Sequence, residues 1–360
     1  MLPFLRSDLS ELVAYSSEGH ESHAAEFDKL DTNEFPLDLP EALKEKLAFL
    51  SAQQIQSNRY PDASYVGLRQ EIARYVSESA DAVVTPEQIS VGNGSDELIR
   101  SILIATCLNH AGSILVAEPT FSMYAILARS LGIPVVSVPR HENFEIDIAA
   151  AQSALAQHPE IRVVFLVHPN SPTGNALTEA ELTWAKALPP EILVVVDEAY
   201  YEFSGQTTVA ELSRSNWMIL RTFSKAFRLA AHRLGYAIAQ PELALALEKI
   251  RLPYNLPSVS QAAACLALTH RKELLAEVKS LRQEREQLYQ VLLTHSDLRV
   301  WPSAANFLFI KTLGSRSAAE LHQGLQQQGT LVRQTCGGLR ITVGTAEENQ
   351  RTLARLRQVL

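Results

Sequence analysis

The chain has 360 residues, of which 46% are hydrophobic and 20% charged, with a formal charge of −8, values typical of a globular protein of about two domains. The mild acidity gives no basic footprint for nucleic acid, and no apolar run approaches the ~20 residues of a membrane helix. The three scattered cysteines form no C-x-x-C pair, which argues against a disulfide framework or a metal site and suits the cytoplasm.

Strands and helices alternate through the middle of the chain, after an irregular arm over residues 1–35 and helical patterns at 40–50 and 65–78. Strands are predicted at 88–91, 114–117, 134–138, 162–167, 192–196, 218–220 and 235–239, and helices at 97–108, 121–130, 147–157 and 178–187. The strands are almost continuously apolar, as expected when both faces of a sheet are covered. Alternation with helices predicts a mainly parallel sheet.

The last hundred residues have a different pattern. One long helical pattern covers 258–292, and short strands at 306–310 and 339–343 mix with further helices. We therefore predict an α/β protein in which a large domain, 36–257, contains a mainly parallel seven-stranded sheet. A smaller α/β domain is predicted at 258–360, together with the N-terminal arm, 1–35.

Polar residues follow the predicted strands, at the edge where parallel sheets bind ligands. Lys225 follows strand 218–220; burial would lower its pKa and give a neutral amine that can attack an aldehyde. Asp197 ends strand 192–196, either as a helix N-cap or as a buried carboxylate that pairs with a protonated pyridine nitrogen. Tyr200 could donate its hydroxyl to a phenolic oxygen of the same ring.

A second group of residues suits a phosphate. Gly92-Asn93-Gly94-Ser95-Asp96 lies between a strand and a helix, where small residues and the helix start favour an anion. Ser224 and Arg233 add to it, since a guanidinium can bind phosphate through two hydrogen bonds. Phe121 could stack on a flat ring, and Asn170 could hydrogen-bond a ring oxygen.

Together these motifs resemble those of the fold-type I pyridoxal-phosphate aminotransferases. They occur in the order Asn170-Ser171-Pro172-Thr173-Gly174, Asp197-Glu198-Ala199-Tyr200, Ser224-Lys225-Ala226-Phe227, Arg233 and Leu339-Arg340-Ile341-Thr342-Val343-Gly344. The resemblance extends from about Tyr15 to the C-terminus. Within this group the chain is most similar to the histidinol-phosphate aminotransferases.

The resemblance implies pyridoxal 5'-phosphate as cofactor, bound to Lys225 as an imine. Lys225 then moves the proton between substrate and cofactor, Asp197 pairs with the pyridine nitrogen, and Tyr200 and Asn170 bond the ring hydroxyl. The remaining cofactor contacts are expected from Gly94, Ser95, Asp96, Phe121, Ser224 and Arg233. The family is dimeric, and Tyr60 resembles the tyrosine that reaches the cofactor phosphate of the neighbouring subunit, so a homodimer is expected.

The resemblance also implies histidinol phosphate and 2-oxoglutarate, with its product glutamate, as substrates. Arg340 matches the arginine that binds a substrate carboxylate, and Arg333 matches a second arginine of the histidinol-phosphate enzymes; two arginines suit a dianionic phosphate. Tyr15 and Asn33 resemble the N-terminal substrate segment. The chain departs from the pattern where relatives often have two asparagines before Pro-Thr-Gly, because here the second is Ser171.

Three other functions fit parts of the pattern. An aromatic amino-acid aminotransferase would use Arg340 for a carboxylate and leave Arg333 idle. A phosphothreonine decarboxylase would share the scaffold and a phosphate-bearing substrate. A non-catalytic ligand-sensing module is disfavoured because Lys225, Asp197 and Tyr200 occur together and no DNA-binding extension is visible.

Overall fold

The computed structural model describes residues 4, 6 and 27–360. Its strands are β1 (Asp28–Leu30), β2 (Ile89–Gly92), β3 (Ser113–Glu118), β4 (Val135–Pro139), β5 (Ile161–Val167), β6 (Leu193–Asp197), β7 (Trp217–Thr222), β8 (Gly235–Ala239), β9 (Leu298–Val300), β10 (Phe307–Thr312), β11 (Thr330–Thr335) and β12 (Gly338–Thr342). Its α-helices are α1 (Glu41–Gln54), α2 (Val66–Ala80), α3 (Gly94–Cys107), α4 (Met123–Ser130), α5 (Ile148–Gln157), α6 (Glu179–Lys186), α7 (Tyr201–Ser204), α8 (Pro241–Glu248), α9 (Ser258–Thr269), α10 (Arg271–Leu293), α11 (Ala318–Gln327) and α12 (Ala346–Val359). Among the described residues, no helix is long and apolar enough to cross a membrane.

The larger sheet has seven strands in the order β2-β8-β7-β6-β5-β3-β4. All neighbouring pairs are parallel except those of β8, which runs antiparallel to β2 and β7. The predicted seven-stranded, mainly parallel sheet is therefore confirmed. Its parallel strands end on one edge, where Asp197 closes β6 and Thr222 closes β7.

The continuous apolar runs of this sheet pack into separate hydrophobic clusters on its two faces. In β5, Val163, Phe165 and Val167 pack into one buried cluster, and Val164 and Leu166 pack into another. This alternation follows from the two-residue period of a strand. Because both faces are buried, the sequence of β5 lacks the alternation of polar and apolar residues that marks a strand with one exposed face.

A second sheet contains five strands in the order β1-β11-β12-β10-β9. β1 pairs parallel to β11, and the other pairs are antiparallel. The prediction that the first 35 residues are irregular is wrong for Asp28–Leu30, which form β1. Three residues are too short for a periodic signal, so this strand forms through its pairing with β11 rather than through local sequence.

The helical pattern predicted at 258–292 is divided in the structure. α9 ends at Thr269, His270 adopts φ −100° and ψ 19°, and α10 begins at Arg271. Leu274 of α10 packs in the core below the large sheet, whereas Leu281 and Leu292 pack against the smaller sheet. α10 therefore links a hydrophobic cluster of the larger sheet with the cluster of the smaller sheet.

Candidate active site

A cavity of about 370 Å³ lies beyond the carboxyl ends of β5, β6 and β7. The predicted residues that line it are Ser95, Asp96, Phe121, Asp197, Tyr200, Ser224, Lys225 and Arg233. We call it the inner cavity. A larger cavity of about 970 Å³, the outer cavity, shares Phe121, Tyr200 and Lys225 with it and extends to Arg333 and Arg340. The two cavities together offer adjoining spaces for a ring with a phosphate and for a second, anionic molecule.

Lys225 lies three residues after β7. In the turn between them, the Thr222 hydroxyl donates a hydrogen bond of 3.0 Å to Ser224 Oγ. Its Nζ donates a hydrogen bond of 2.9 Å to the carbonyl oxygen of Thr32. Burial, and after it the positive charge of Arg340, lower the pKa of Lys225 to about 8. More of this amine is therefore neutral near physiological pH than in an ordinary lysine, as a nucleophile requires.

Asp197 is 3% exposed and ends β6 inside the inner cavity. Its Oδ2 accepts a 2.6 Å hydrogen bond from the Tyr124 hydroxyl, and its Oδ1 accepts one of 3.0 Å from the Ala199 amide. Burial raises the pKa of Asp197 to about 6, and these two hydrogen bonds oppose the rise. A buried carboxylate of this kind is stabilised when a cation pairs with it.

Tyr124, which donates this hydrogen bond to Asp197, was not among the residues predicted from the sequence. It is fully buried, and its ring stacks on Phe165 with centroids 4.5 Å apart. Its position in the sequence could have indicated it. Tyr124 comes three residues after Phe121, on the first turn of α4, and a helix that begins near a strand end has its first turn close to the cavity.

The residues that were predicted to bind a phosphate lie together at the start of α3. Gly94 has φ +73°, and a Cβ there would lie 2.8 Å from the Arg233 guanidinium. Arg233 also contacts Asp96 Oδ2 at 3.4 Å and Ser224 Oγ at 3.5 Å, and the Ser95 amide nitrogen lies against Gly235, where a Cβ would come within 2.8 Å of it. A helix N-terminus with an adjacent guanidinium and hydroxyl fits a phosphate.

The prediction that Asn170 bonds a ring oxygen is contradicted by its contacts. Asn170 is fully buried, and its Nδ2 donates to the Pro119 carbonyl at 3.1 Å and to Thr173 Oγ1 at 2.6 Å. Its Oδ1 accepts from Thr120 at 2.9 Å and from Arg140 at 3.3 Å. All of its hydrogen-bonding groups are thus engaged inside the protein.

Ser171, not Asn170, faces both cavities. Its Oγ accepts a 3.3 Å hydrogen bond from Arg340. The available signal was its place immediately before Pro172, which is the second asparagine position of the pattern. Asn170 instead holds the turn in shape, so that Ser171 points towards the site.

Three further predicted residues take clear positions. Phe121 lines both cavities, and its ring meets Tyr124 edge-on at 5.5 Å. Tyr200 lines both cavities, and its hydroxyl oxygen accepts a 2.8 Å hydrogen bond from Asn33 Nδ2. Asn33 lines the outer cavity. Tyr60 lies outside both cavities, 80% exposed and stacked on Tyr254 at 4.5 Å, and Tyr15 lies outside the described residues.

Arg333 and Arg340 are directly opposite each other in the antiparallel pair β11–β12. Opposed residues of such a pair project to the same face, and both arginines line the outer cavity. Arg340 donates a hydrogen bond of 2.6 Å to the Asp31 carbonyl oxygen and another to Ser171 Oγ. Like charges in this position are destabilising without an anion between them, so the pair is suited to a multiply charged anion.

The family model for class I and II aminotransferases matches residues 26–356. Histidinol-phosphate aminotransferase of Synechococcus sp. (strain JA-2-3B'a(2-13)) is 58% identical over 361 residues, covering 100% of this chain and 99% of the relative. The same enzyme of Trichodesmium erythraeum is 54% identical over 375 residues, covering 100% of both. The crystal structure of histidinol-phosphate aminotransferase from Sinorhizobium meliloti in complex with pyridoxal-5'-phosphate superposes with a TM-score of 0.86 at 23% identity, covering 100% of this chain and 98% of that one.

The fold, the site and the family match define a class of protein. The chain belongs to the class I and II aminotransferase family, as a pyridoxal-phosphate-dependent enzyme of fold type I that acts on small molecules. Within that family it is a member of the histidinol-phosphate aminotransferases.

The depressed pKa of Lys225 predicts how cofactor attachment depends on pH. Because only the neutral amine attacks the cofactor aldehyde, attachment to cofactor-free protein should speed up as pH rises through about 8 and level off above it. Since Arg340 contributes to the low pKa, Arg340→Met should move this midpoint upward. Stopped-flow absorbance between pH 6 and 11 measures it; a wild-type midpoint near the ordinary lysine value of about 10.4 would contradict the assignment.

Tyr124→Phe should weaken cofactor binding about tenfold or more at neutral pH, as expected for loss of a hydrogen bond to a charged group. Without that bond the pKa of Asp197 rises, so more of the carboxyl group is protonated and cannot pair with a cation. Part of the affinity should therefore return at higher pH. Equilibrium titration with pyridoxal phosphate at two pH values measures both effects.

Tyr75→Phe is the matched control for this experiment. Tyr75 is also a buried tyrosine that donates to a carboxylate, Glu202, at 2.9 Å, and neither residue lines the inner cavity. Its loss should lower thermal stability with little change in cofactor affinity. Equal affinity losses in the two variants would show that Tyr124 acts through general stability alone.

Proposed function

We propose that the chain transfers an amino group from glutamate to the keto precursor of histidinol phosphate, and back from histidinol phosphate to 2-oxoglutarate, in histidine biosynthesis. The observation that carries this proposal is the cross-strand pair Arg333–Arg340 on the wall of the outer cavity. A phosphate dianion can bind two guanidinium groups at once, whereas a single carboxylate needs only one. The pair therefore favours a phosphate-bearing substrate over an aromatic amino acid.

The residues of the inner cavity fit pyridoxal phosphate. Asp197 is a buried carboxylate with a raised pKa, and the start of α3 with Arg233 forms an anion pocket. When bound, the cofactor supplies an electron sink and a temporary carrier for the amino group. We propose that Lys225 attaches it and moves the substrate proton, and that Asp197 keeps the ring nitrogen charged. Tyr200 is assigned to hydrogen-bond the ring oxygen. Ser171, rather than Asn170, is assigned to the position beside it.

Gly94, Ser95, Asp96, Ser224 and Arg233 are assigned to the cofactor phosphate, and Phe121 to stacking on the ring. For the substrate, Arg333 and Arg340 are assigned to its phosphate or carboxylate, and Tyr15 and Asn33 to the segment beside it. Arg340 would also serve glutamate and 2-oxoglutarate, because both substrates must occupy one site in turn. We also propose the domain division given above, with the five-stranded sheet in the smaller domain.

We propose a homodimer in which Tyr60 reaches the cofactor phosphate of the partner subunit. Tyr60 is 80% exposed and remote from its own cavities. Its ring stacks on that of Tyr254, which is also exposed. An exposed pair of aromatic rings suits a surface that is covered in an assembly. Sedimentation as a monomer at micromolar concentration would contradict the proposal.

A cytoplasmic location is proposed as well, supported by the three cysteines, all of which are free. Thiols persist in reduced form in that compartment. Fractionation of cells that express the protein would test it, and recovery of the protein outside the cytoplasm would contradict it.

The function is tested by comparing kcat/KM for histidinol phosphate and for phenylalanine with 2-oxoglutarate as acceptor. We expect a preference for histidinol phosphate of at least about a hundredfold, since one additional charge-assisted contact supplies roughly 3 kcal/mol. A preference for phenylalanine would identify an aromatic aminotransferase instead. Release of carbon dioxide from phosphothreonine without any oxo acid would identify a decarboxylase.

A further inference from the structure

Three consecutive residues between β1 and α1 each contact a different functional side chain. The Asp31 carbonyl accepts from Arg340 at 2.6 Å, the Thr32 carbonyl accepts from Lys225 at 2.9 Å, and Asn33 Nδ2 donates to the Tyr200 hydroxyl oxygen at 2.8 Å. Any residue could supply the two carbonyl groups. Only the third contact depends on a particular side chain, so the identity of residue 33 matters in a way that the other two do not.

The smaller sheet holds Asn33 in one orientation. Asn33 is 1% exposed and has φ +55°, a left-handed conformation that asparagine adopts more readily than most residues. Its backbone amide donates to Thr342 Oγ1 at 3.0 Å, and Thr342 Oγ1 donates to its Oδ1 at 3.2 Å. Asn306 Nδ2 donates to its carbonyl at 3.1 Å. With Oδ1 engaged by Thr342, the amide nitrogen faces Tyr200.

This contact determines how Tyr200 can act. Because the phenol oxygen accepts from Asn33, its own hydrogen points away from Asn33, towards the Ser171 hydroxyl or a group bound in the cavity. A hydroxyl that accepts a hydrogen bond becomes a stronger donor. Burial raises the pKa of Tyr200, whereas the charge of Arg340 and the bond from Asn33 oppose the rise. The charged groups around Tyr200 are Arg340 from β12, Asp197 from the end of β6 and Lys225 after β7.

We propose that Asn33 is a positioning residue that orients and polarises the Tyr200 hydroxyl towards the cofactor ring oxygen, and so couples the smaller sheet to the electronic state of the cofactor. The inference rests on the cofactor site proposed above. It gives Asn33 a role through Tyr200 in addition to the proposed substrate contact, because its Nδ2 bonds Tyr200 and its Oδ1 bonds Thr342.

The proposal has a spectroscopic consequence. A weaker donor at Tyr200 leaves more negative charge on the ring oxygen, and that charge favours a proton on the nitrogen that joins Lys225 to the cofactor. The pH midpoint of the bound cofactor's absorbance should therefore rise. We expect a rise of about 0.5 to 1 pH unit for Asn33→Gly, as for loss of one neutral hydrogen bond, and a larger rise for Tyr200→Phe.

The decisive comparison is the double variant. If Asn33 acts through Tyr200, Asn33→Gly should add no further shift in a Tyr200→Phe background. Glycine accommodates the positive φ, so the variant removes the side chain without backbone strain. Asn306→Ala removes a bond to the Asn33 carbonyl but leaves the amide on Tyr200, so its midpoint should equal that of the wild type.

An unchanged midpoint in Asn33→Gly, or a shift of equal size with and without the Tyr200 hydroxyl, would overturn the proposal. If Asn33→Gly does not fold, Asn33→Ala removes the same donor without adding a charge, and the comparison with the Tyr200→Phe background applies to it in the same way. Failure of the wild type to bind pyridoxal phosphate would count against the proposed function itself. An unchanged midpoint in variants that do bind it would count only against the role of Asn33.

Discussion

Lys225→Ala is expected to lower kcat by roughly 10⁴-fold or more, because in the proposed function it removes both the nucleophile that binds the cofactor and the base that moves the substrate proton. The amine is the nucleophilic group of the inner cavity, and its pKa of about 8 suits both roles. Single-turnover absorbance measurements with histidinol phosphate, followed for hours, would quantify the residual rate.

Two variants give this experiment its controls. Lys225→Arg retains a positive charge but cannot attack an aldehyde at neutral pH, so it should be about as inactive as the alanine variant. Lys249→Ala removes an exposed lysine at the end of α8 and should leave kcat unchanged. Residual activity of Lys225→Ala within tenfold of the wild type would exclude Lys225 as the covalent attachment point.

Arg333→Ala is expected to lower kcat/KM for histidinol phosphate by about 10²- to 10³-fold, consistent with the 2–5 kcal/mol cost of truncating one partner of a hydrogen-bonded charge pair. The loss for glutamate should be less than about tenfold, since Arg340 alone can bind a carboxylate. The geometric reason is the cross-strand register that places both guanidinium groups on one wall. Steady-state kinetics with the two amino donors measure the difference.

Arg333→Lys distinguishes charge from geometry at this position. Lysine retains the charge but lacks the planar pair of donors, so its loss with histidinol phosphate should fall between those of the wild type and the alanine variant. Losses of equal size for both donors would show that Arg333 does not select the phosphate.

Much of the large sheet could be predicted, because its strands are apolar runs bounded by polar turns. The topology of parallel sheets places the strand ends together, which is why the sequence could predict that Lys225, Asp197 and Arg233 lie in one cavity. β1 was missed because its pairing with β11, some three hundred residues away, leaves no local pattern. The break at His270 was missed because neither glycine nor proline marks it.

The errors in the site have a common origin. Whether Asn170 or Ser171 faces the ring depends on the partners of a buried amide, and those partners, Pro119, Thr120 and Arg140, come from other parts of the chain. Tyr124 was passed over for the same reason, since its hydroxyl acts on Asp197 from a different strand end. Sequence patterns identify residue types at strand ends but not which hydrogen bonds they exchange.

The central claim is that the Arg333–Arg340 pair selects histidinol phosphate as amino donor. Its most direct test is the absorbance of the cofactor-loaded protein after adding histidinol phosphate with no oxo acid present. We expect the cofactor band to be replaced by one at higher energy, in proportion to the sites present, while phenylalanine at the same concentration leaves the spectrum nearly unchanged. Conversion by phenylalanine but not by histidinol phosphate would contradict the claim.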